Sequence, residues 1–232
     1  MQAEPSTDGQ DAGITEKTGS VNMIVSEILR GLYDGRYVPG QKLVESDLTK
    51  RFGVGRGTVR EALQRLEAEG LTTASLHRGA RIRSFTRDGV RDLLEITEAI
   101  AGLTGRLAAE RSRSTEDLTE LRGSIEELSR LIEAGETFAS AQLRFSILHA
   151  IAALACNQEL FRLMPRYDAS VVRAQFRVVF DAKGARAELE QFRKVLDYIL
   201  ARDGDGAELT MRKFVRRTAV AIQHLPDEYF DH

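Results

Sequence analysis

Apolar residues recur at intervals of three and four along most of this chain, and the places where that rhythm breaks divide it into parts. From Val21, the residues Ile24, Ile28 and Leu32 mark one face of a first helix, expected to fade near Gly31 and Gly35. Pro39-Gly40 makes a turn. Glu45 to Phe52 is predicted as a short second helix ending at Gly53. Thr58 to Glu69 is predicted as a third, with Val59, Leu63 and Leu66 inward and Gly70 as its stop. Two short stretches follow, Leu71–Ser75 and Ala80–Phe85, with His77-Arg78-Gly79 between them. They read as a hairpin with glycine at its tip, a wing beside a helix–turn–helix. Ahead of all this, residues 1–19 are Gly, Ser, Thr, Asp, Glu and Gln with almost no large apolar side chains, and are expected to form a disordered tail.

Beyond about residue 88 the periodicity is helical almost to the end. One helix carries Leu93, Ile96, Ile100, Leu103 and Leu107; the next carries Leu118, Leu121, Ile125, Leu128 and Ile132, both stripes expected to face a core. A third covers roughly Phe138–Ala155, a fourth is bent or broken near Pro165 before running to Phe180, and two more cover about Ala187–Ala201 and Ala207–Leu225. The expected architecture is therefore mainly α. A winged-helix domain (20–85) precedes an all-helical antiparallel bundle (86–228).

Composition narrows the class. With 42% hydrophobic and 29% charged residues over 232 positions, the chain can fill two modest cores. Its single cysteine, Cys156, excludes an internal disulfide framework and a multi-cysteine zinc site, fits a reducing cytosol, and is expected inside a helical core. The longest mostly apolar run, Ile147 to Cys156, is far below the roughly 20 residues that span a bilayer, and no basic-then-apolar leader is present, so a soluble cytoplasmic protein is expected.

Charge is unevenly spread. Residues 1–19 carry one Lys/Arg against four Asp/Glu, residues 20–85 eleven against seven, and residues 86–232 twenty-one against twenty-four. Only the middle segment is basic, as phosphate binding requires, because each neutralised phosphate releases condensed counterions.

The residues of that segment form a recognisable string: Gly35-Arg36-Tyr37-Val38-Pro39-Gly40, Lys42-Leu43, Glu45, Leu48, Phe52-Gly53-Val54, Arg56, Val59-Arg60-Glu61-Ala62-Leu63, Leu66, Glu69-Gly70-Leu71 and Arg78-Gly79-Ala80. In order and spacing it resembles the winged-helix domain of the GntR superfamily. The resemblance implies a third helix entering the major groove, with Arg56 at its start and Arg60 one turn on as readers of base edges. Thr58 would cap that helix or touch a phosphate, Lys42 and Arg65 would contact phosphates, and His77, Arg78 and Gly79 of the wing would approach the minor groove, the glycine by letting backbone come close. Gly55, Gly57 and Thr58 depart from the usual residues around the motif arginine, and Ser46 stands where some relatives carry a DNA-contacting arginine.

Residues 88–225 resemble the helical ligand-binding domain of the FadR subfamily. The resemblance is carried by Leu94-Glu95-Ile96, Leu107-Ala108-Ala109-Glu110-Arg111, Ala155-Cys156-Asn157 with Leu160, Met211-Arg212 and Arg216-Arg217-Thr218. Most such relatives hold a divalent metal through one aspartate and three histidines. Here those positions are Arg144, Leu148, Phe192 and Phe214, which offer a cation no neutral or anionic donor, so no metal and no other cofactor is expected. His149 lies one position off, on a different helix face. An arginine among these apolar side chains suits an effector with an acidic end and an apolar body, a carboxylate or acyl compound; the bland alternative is that Arg144 pairs with a nearby acid and the phenylalanines close the pocket. Thr97 stands where relatives often have an arginine.

The expected function is that of a homodimeric regulator of transcription, most simply a repressor, binding operator DNA under control of a small molecule. Two rivals stand beside it: an effector-independent architectural DNA binder, and an all-helical enzyme, against which the sequence offers no Ser–His–Asp or Cys–His frame, phosphate loop or metal cluster.

Overall fold

The computed structural model describes residues 8–75, 79–163, 170–177 and 181–231. The chain divides into two compact units, Met1–Arg83 and Ser84–His232.

The first unit contains α1 (Asp8–Asp34), β1 (Lys42–Val44), α2 (Glu45–Phe52), α3 (Arg56–Ala68), β2 (Thr72–Ser75) and β3 (Gly79–Ile82). Helix α1 starts well before Val21, so the expected tail is helical from Asp8. The reason is cooperative: once Val21, Ile24, Ile28 and Leu32 are buried and the helix is nucleated, each upstream residue adds a hydrogen bond at little further cost. Nor does the helix fade at Gly31. That glycine accommodates the buried ring of Tyr37, whose Cδ2 would lie 2.3 Å from an added Cβ. Helices α1 and α2 both pack on α3, burying Leu48, Val59, Ala62, Leu63 and Leu66. Helix α2 ends at Gly53 with φ 64°, a left-handed cap that suits glycine.

The hairpin is part of a three-stranded antiparallel sheet in the order β1-β3-β2, with Leu43 opposite Ala80 and Thr73 opposite Arg81. Strand β1 is not foreseeable from the pattern, because three residues are too few to show an alternation.

The second unit contains α4 (Arg87–Arg111), α5 (Thr115–Glu133), α6 (Thr137–Leu154), α7 (Gln158–Leu163), α8 (Ser170–Gln175), α9 (Ala182–Leu200) and α10 (Gly204–Gln223), closed by a 3₁₀ turn at Asp227–Tyr229. Pro165 lies outside the described residues. Ala108, Leu121, Ile125, Leu128, Ile147, Ile151, Phe192, Val195 and Ile199 share one core cluster, contributed by α4, α5, α6 and α9. The stripe expected on α5 is that core.

On α4 only part of the expected stripe faces a core: Leu107 is buried, with Ile100 packed beside it. Ile96 and Leu103 are exposed, while Val90, Leu94, Gly102, Gly105, Ala108 and Ala109 point inward. Small residues win there because α10 lies close: a Cβ on Gly105 would sit 2.9 Å from the Ala207 carbonyl oxygen. Cys156 also departs from expectation, being exposed and left-handed (φ 47°) just past the end of α6.

Candidate functional site: a helix terminus and a buried charge cluster

In the first unit, α3 begins at Arg56 with Gly55 as its N-cap, and Gly55 has no side chain to cap the first amides. The first turn also lacks an acid, so the positive end of the helix dipole is left uncompensated by side chains. Thr58 is not the cap expected of it. It sits inside the first turn, partly exposed, its own amide donating to the Gly55 carbonyl at 3.1 Å. Such an end attracts an anion.

Arg56 and Arg60 are four residues apart on one exposed face of α3. Their surroundings differ. Arg56 makes no side-chain hydrogen bond or ion pair with any described residue, whereas Arg60 Nε donates to both oxygens of Glu45, at 3.0 and 3.2 Å. Lys42 is exposed on β1, and Ser46 is exposed in the first turn of α2, its hydroxyl donating to Asp47 at 3.3 Å. Arg65 is engaged inside the unit, where its Nε meets Glu69 at 3.0 Å and its terminal nitrogen meets Asn22 of α1, tying α3 to its neighbour.

His77 and Arg78 lie outside the described residues. Gly79 is not at the hairpin tip. It is the first residue of β3, opposite Ser75 and Val44, and a Cβ there would lie 2.4 Å from the Leu43 carbonyl oxygen. Glycine is therefore required by the close approach of β1.

In the second unit, the four candidate effector residues are only partly brought together. Phe192 is 3% exposed in the core cluster, Leu148 packs against that cluster, and half-buried Phe214 is not among its described members. Arg144 points to a residue that sequence reasoning does not single out. Its Nε lies 2.8 Å from Oε2 of Glu188, while Arg173 pairs with the other oxygen of the same carboxylate. Glu188 is 2% exposed, one turn before Phe192 on α9. It falls on the stripe Glu188, Phe192, Val195, Ile199, so an acid in register with an apolar face was the available signal.

Two guanidiniums converge on this carboxylate, an arrangement that repels a divalent cation, and among the described residues no group of His, Cys, Asp and Glu could hold a metal. The residues do not fit the divalent metal that the family resemblance implies. His149 is elsewhere, its ring 4.2 Å from that of Phe145 and 5.4 Å, edge-on, from Phe161.

A second charged cluster joins α4 to α10. Arg106 pairs with Glu208 and, at 2.8 Å, with Asp205; Arg212 meets Glu208 at 2.8 Å, and Arg216 meets Glu98 at 2.5 Å. Hydrogen bonds from Arg216 hold the Glu98 carboxyl below the usual range, and those from Arg106 and Arg212 do the same for Glu208.

Residues 21–82 match bacterial regulatory proteins of the gntR family, and residues 92–217 match the FCD domain. The chain is 26% identical over 210 residues to a probable D-xylose utilization operon transcriptional repressor of Paenarthrobacter nicotinovorans, covering 90% of this chain and 91% of that one. It is 27% identical over 200 residues to the transcriptional repressor GlaR of Escherichia coli, covering 82% and 89%. In fold it is similar to E. coli McbR/YncC, with a TM-score of 0.73 over 88% of this chain and 97% of that one at 18% identity. A GntR transcriptional regulator from Rhodococcus sp. RHA1 gives a TM-score of 0.68, covering 88% and 97% at 20% identity. With a DNA-binding winged helix followed by an FCD domain that alone spans more than half of it, the chain belongs to the gntR family of bacterial transcriptional regulators.

Proposed function

We propose that this protein is a homodimeric repressor that reads a near-palindromic operator through α3 and is released or retained by a small acidic effector held in its helical unit. The observation that carries the DNA half is the start of α3, where two exposed arginines stand on one face beside amides that no side chain caps. Arg56 and Arg60 read base edges; Lys42, Ser46 and Thr58 meet phosphates, which position without specifying. Arg65, engaged by Glu69 and Asn22, would have to release one of them to meet a phosphate. The sign of regulation follows the two relatives described above, both of which are named as repressors.

One recognition helix covers too few base pairs to define a unique site, so two are needed. Support for a dimer comes from α4, whose outward stripe of Ile96 and Leu103 is 49% and 43% exposed, apolar surface that a second copy would cover.

The effector reading rests on Arg144. Glu188 already occupies it, so an incoming carboxylate or acyl phosphate competes with an internal anion, while Leu148 and Phe192 meet the apolar body. The experiment is selection from a pool of randomised DNA duplexes with the purified full chain. A recovered two-fold repeat supports the regulator; a pool bound without sequence preference, with affinity falling only as salt rises, supports an architectural binder instead.

A further inference from the structure

We propose that Glu45 is the residue that gives Arg60 its selectivity, aiming the guanidinium at bases and holding it away from phosphates; this rests on the reading that α3 enters the major groove. Glu45 is the first residue of α2, and its side chain is only 15% exposed, whereas that of Arg60 is 54% exposed. Both carboxylate oxygens lie within hydrogen-bond distance of Arg60 Nε. Nε is thereby occupied, and the two terminal nitrogens are the donors left to face outward.

The consequence is a difference between two arginines on the same helix face. Arg56, with no described partner, keeps its full rotamer freedom and loses it on binding. Arg60 is already held in one plane, so less is lost when its outer edge meets the O6 and N7 of a guanine. Glu45 also sets a negative charge beside the path of the DNA backbone. A free Arg60 would swing to any nearby phosphate and add equally to every sequence; the carboxylate opposes that swing by offering a fixed partner and by repelling the phosphate. Glu45 touches no base in this scheme. It acts through Arg60, as a positioning residue.

The test compares wild type, Glu45→Ala and Glu45→Gln on the duplex that wild type selects from a randomised pool and on a scrambled duplex, each over a salt series. In Glu45→Ala, preference for the selected duplex should fall about tenfold, with base preference relaxed at one position per half-site and affinity for scrambled DNA unchanged or higher. The salt slope should steepen by about one per subunit, as Arg60 takes up a phosphate. Glu45→Gln keeps an acceptor for Nε but no charge, so it should retain the base preference while binding scrambled DNA more tightly; it also carries the test if the alanine protein fails to fold. A merely structural role would weaken both duplexes alike. Equal losses on the two duplexes in both variants, with base preference intact, overturn the proposal. A wild type that selects no sequence overturns the reading of α3 itself.

Discussion

Arg144 on α6, one of the four positions that the family resemblance gives to metal ligands, forms a buried ion pair of 2.8 Å with Glu188 on α9, their side chains 11% and 3% exposed. Here the cation belongs to the protein. Removing one partner of a buried pair leaves an unscreened charge, so Glu188→Ala, which abandons both Arg144 and Arg173, should cost about 3–5 kcal/mol of stability. Urea unfolding of the variant measures it. A loss under about 1 kcal/mol would mean that water or another anion replaces the carboxylate at no cost.

The proposed effector site at Arg144 sets the ligand response to expect. Added zinc, manganese or nickel, and chelators, should leave the melting temperature unchanged. Among apolar carboxylates, a binder should raise it, by RT ln(1 + [L]/Kd) in free energy, in wild type and not in Arg144→Ala. An effector that stabilises both proteins equally removes Arg144 from the site, and stoichiometric metal in the purified protein contradicts the replacement of the ligand set.

Glu98 and Glu208, hydrogen-bonded by arginines across α4 and α10, have carboxyl groups held below the usual range. In the acid window below the ordinary glutamate value of about 4.3, the unfolded chain binds more protons than the folded one, and stability must fall as pH falls. The groups are near the surface and screened, so the effect of each is modest. In thermal melts between pH 6 and 3, Glu208→Gln should start less stable and show a shallower acid decline than wild type. Parallel curves for the two proteins would deny the pairing a role in acid stability.

If the outward stripe of α4 is the face between subunits, Leu103→Glu should shift the protein to monomer and weaken operator binding while preserving helical content. Sedimentation at micromolar concentration distinguishes the outcomes. A dimer unaffected by the change moves the interface elsewhere.

How legible these features are in the sequence depends on how strongly physics ties a residue type to a place. Gly53, at φ 64°, ends α2 where a glycine stop is expected, and the stripe Leu121, Ile125, Leu128 is buried as its spacing requires. Part of the inward face of α4 is hidden from a hydrophobic pattern because glycine and alanine carry almost no such signal, yet Gly102, Gly105, Ala108 and Ala109 are buried there, and a Cβ added to either glycine would meet α10. Gly79 is legible as a necessary glycine but not for its cause, since Leu43, whose carbonyl it clears, is far earlier in the chain on a strand too short to predict. Glu188 and Arg173 escape notice for a related reason. The register of Glu188 with the apolar stripe of α9 is a signal that it is buried, but a pairing between helices leaves no local pattern that names its partners.

Fluorescence anisotropy on wild type and Arg56→Ala, with the selected and a scrambled duplex at one salt concentration, shows whether α3 reads DNA sequence through its first turn. Wild type should favour the selected duplex by about a thousandfold or more. Arg56→Ala should lose roughly 1–3 kcal/mol on that duplex alone, with its circular dichroism unchanged. Wild type binding both duplexes equally, or Arg56→Ala binding the selected duplex as tightly as wild type does, would contradict that reading.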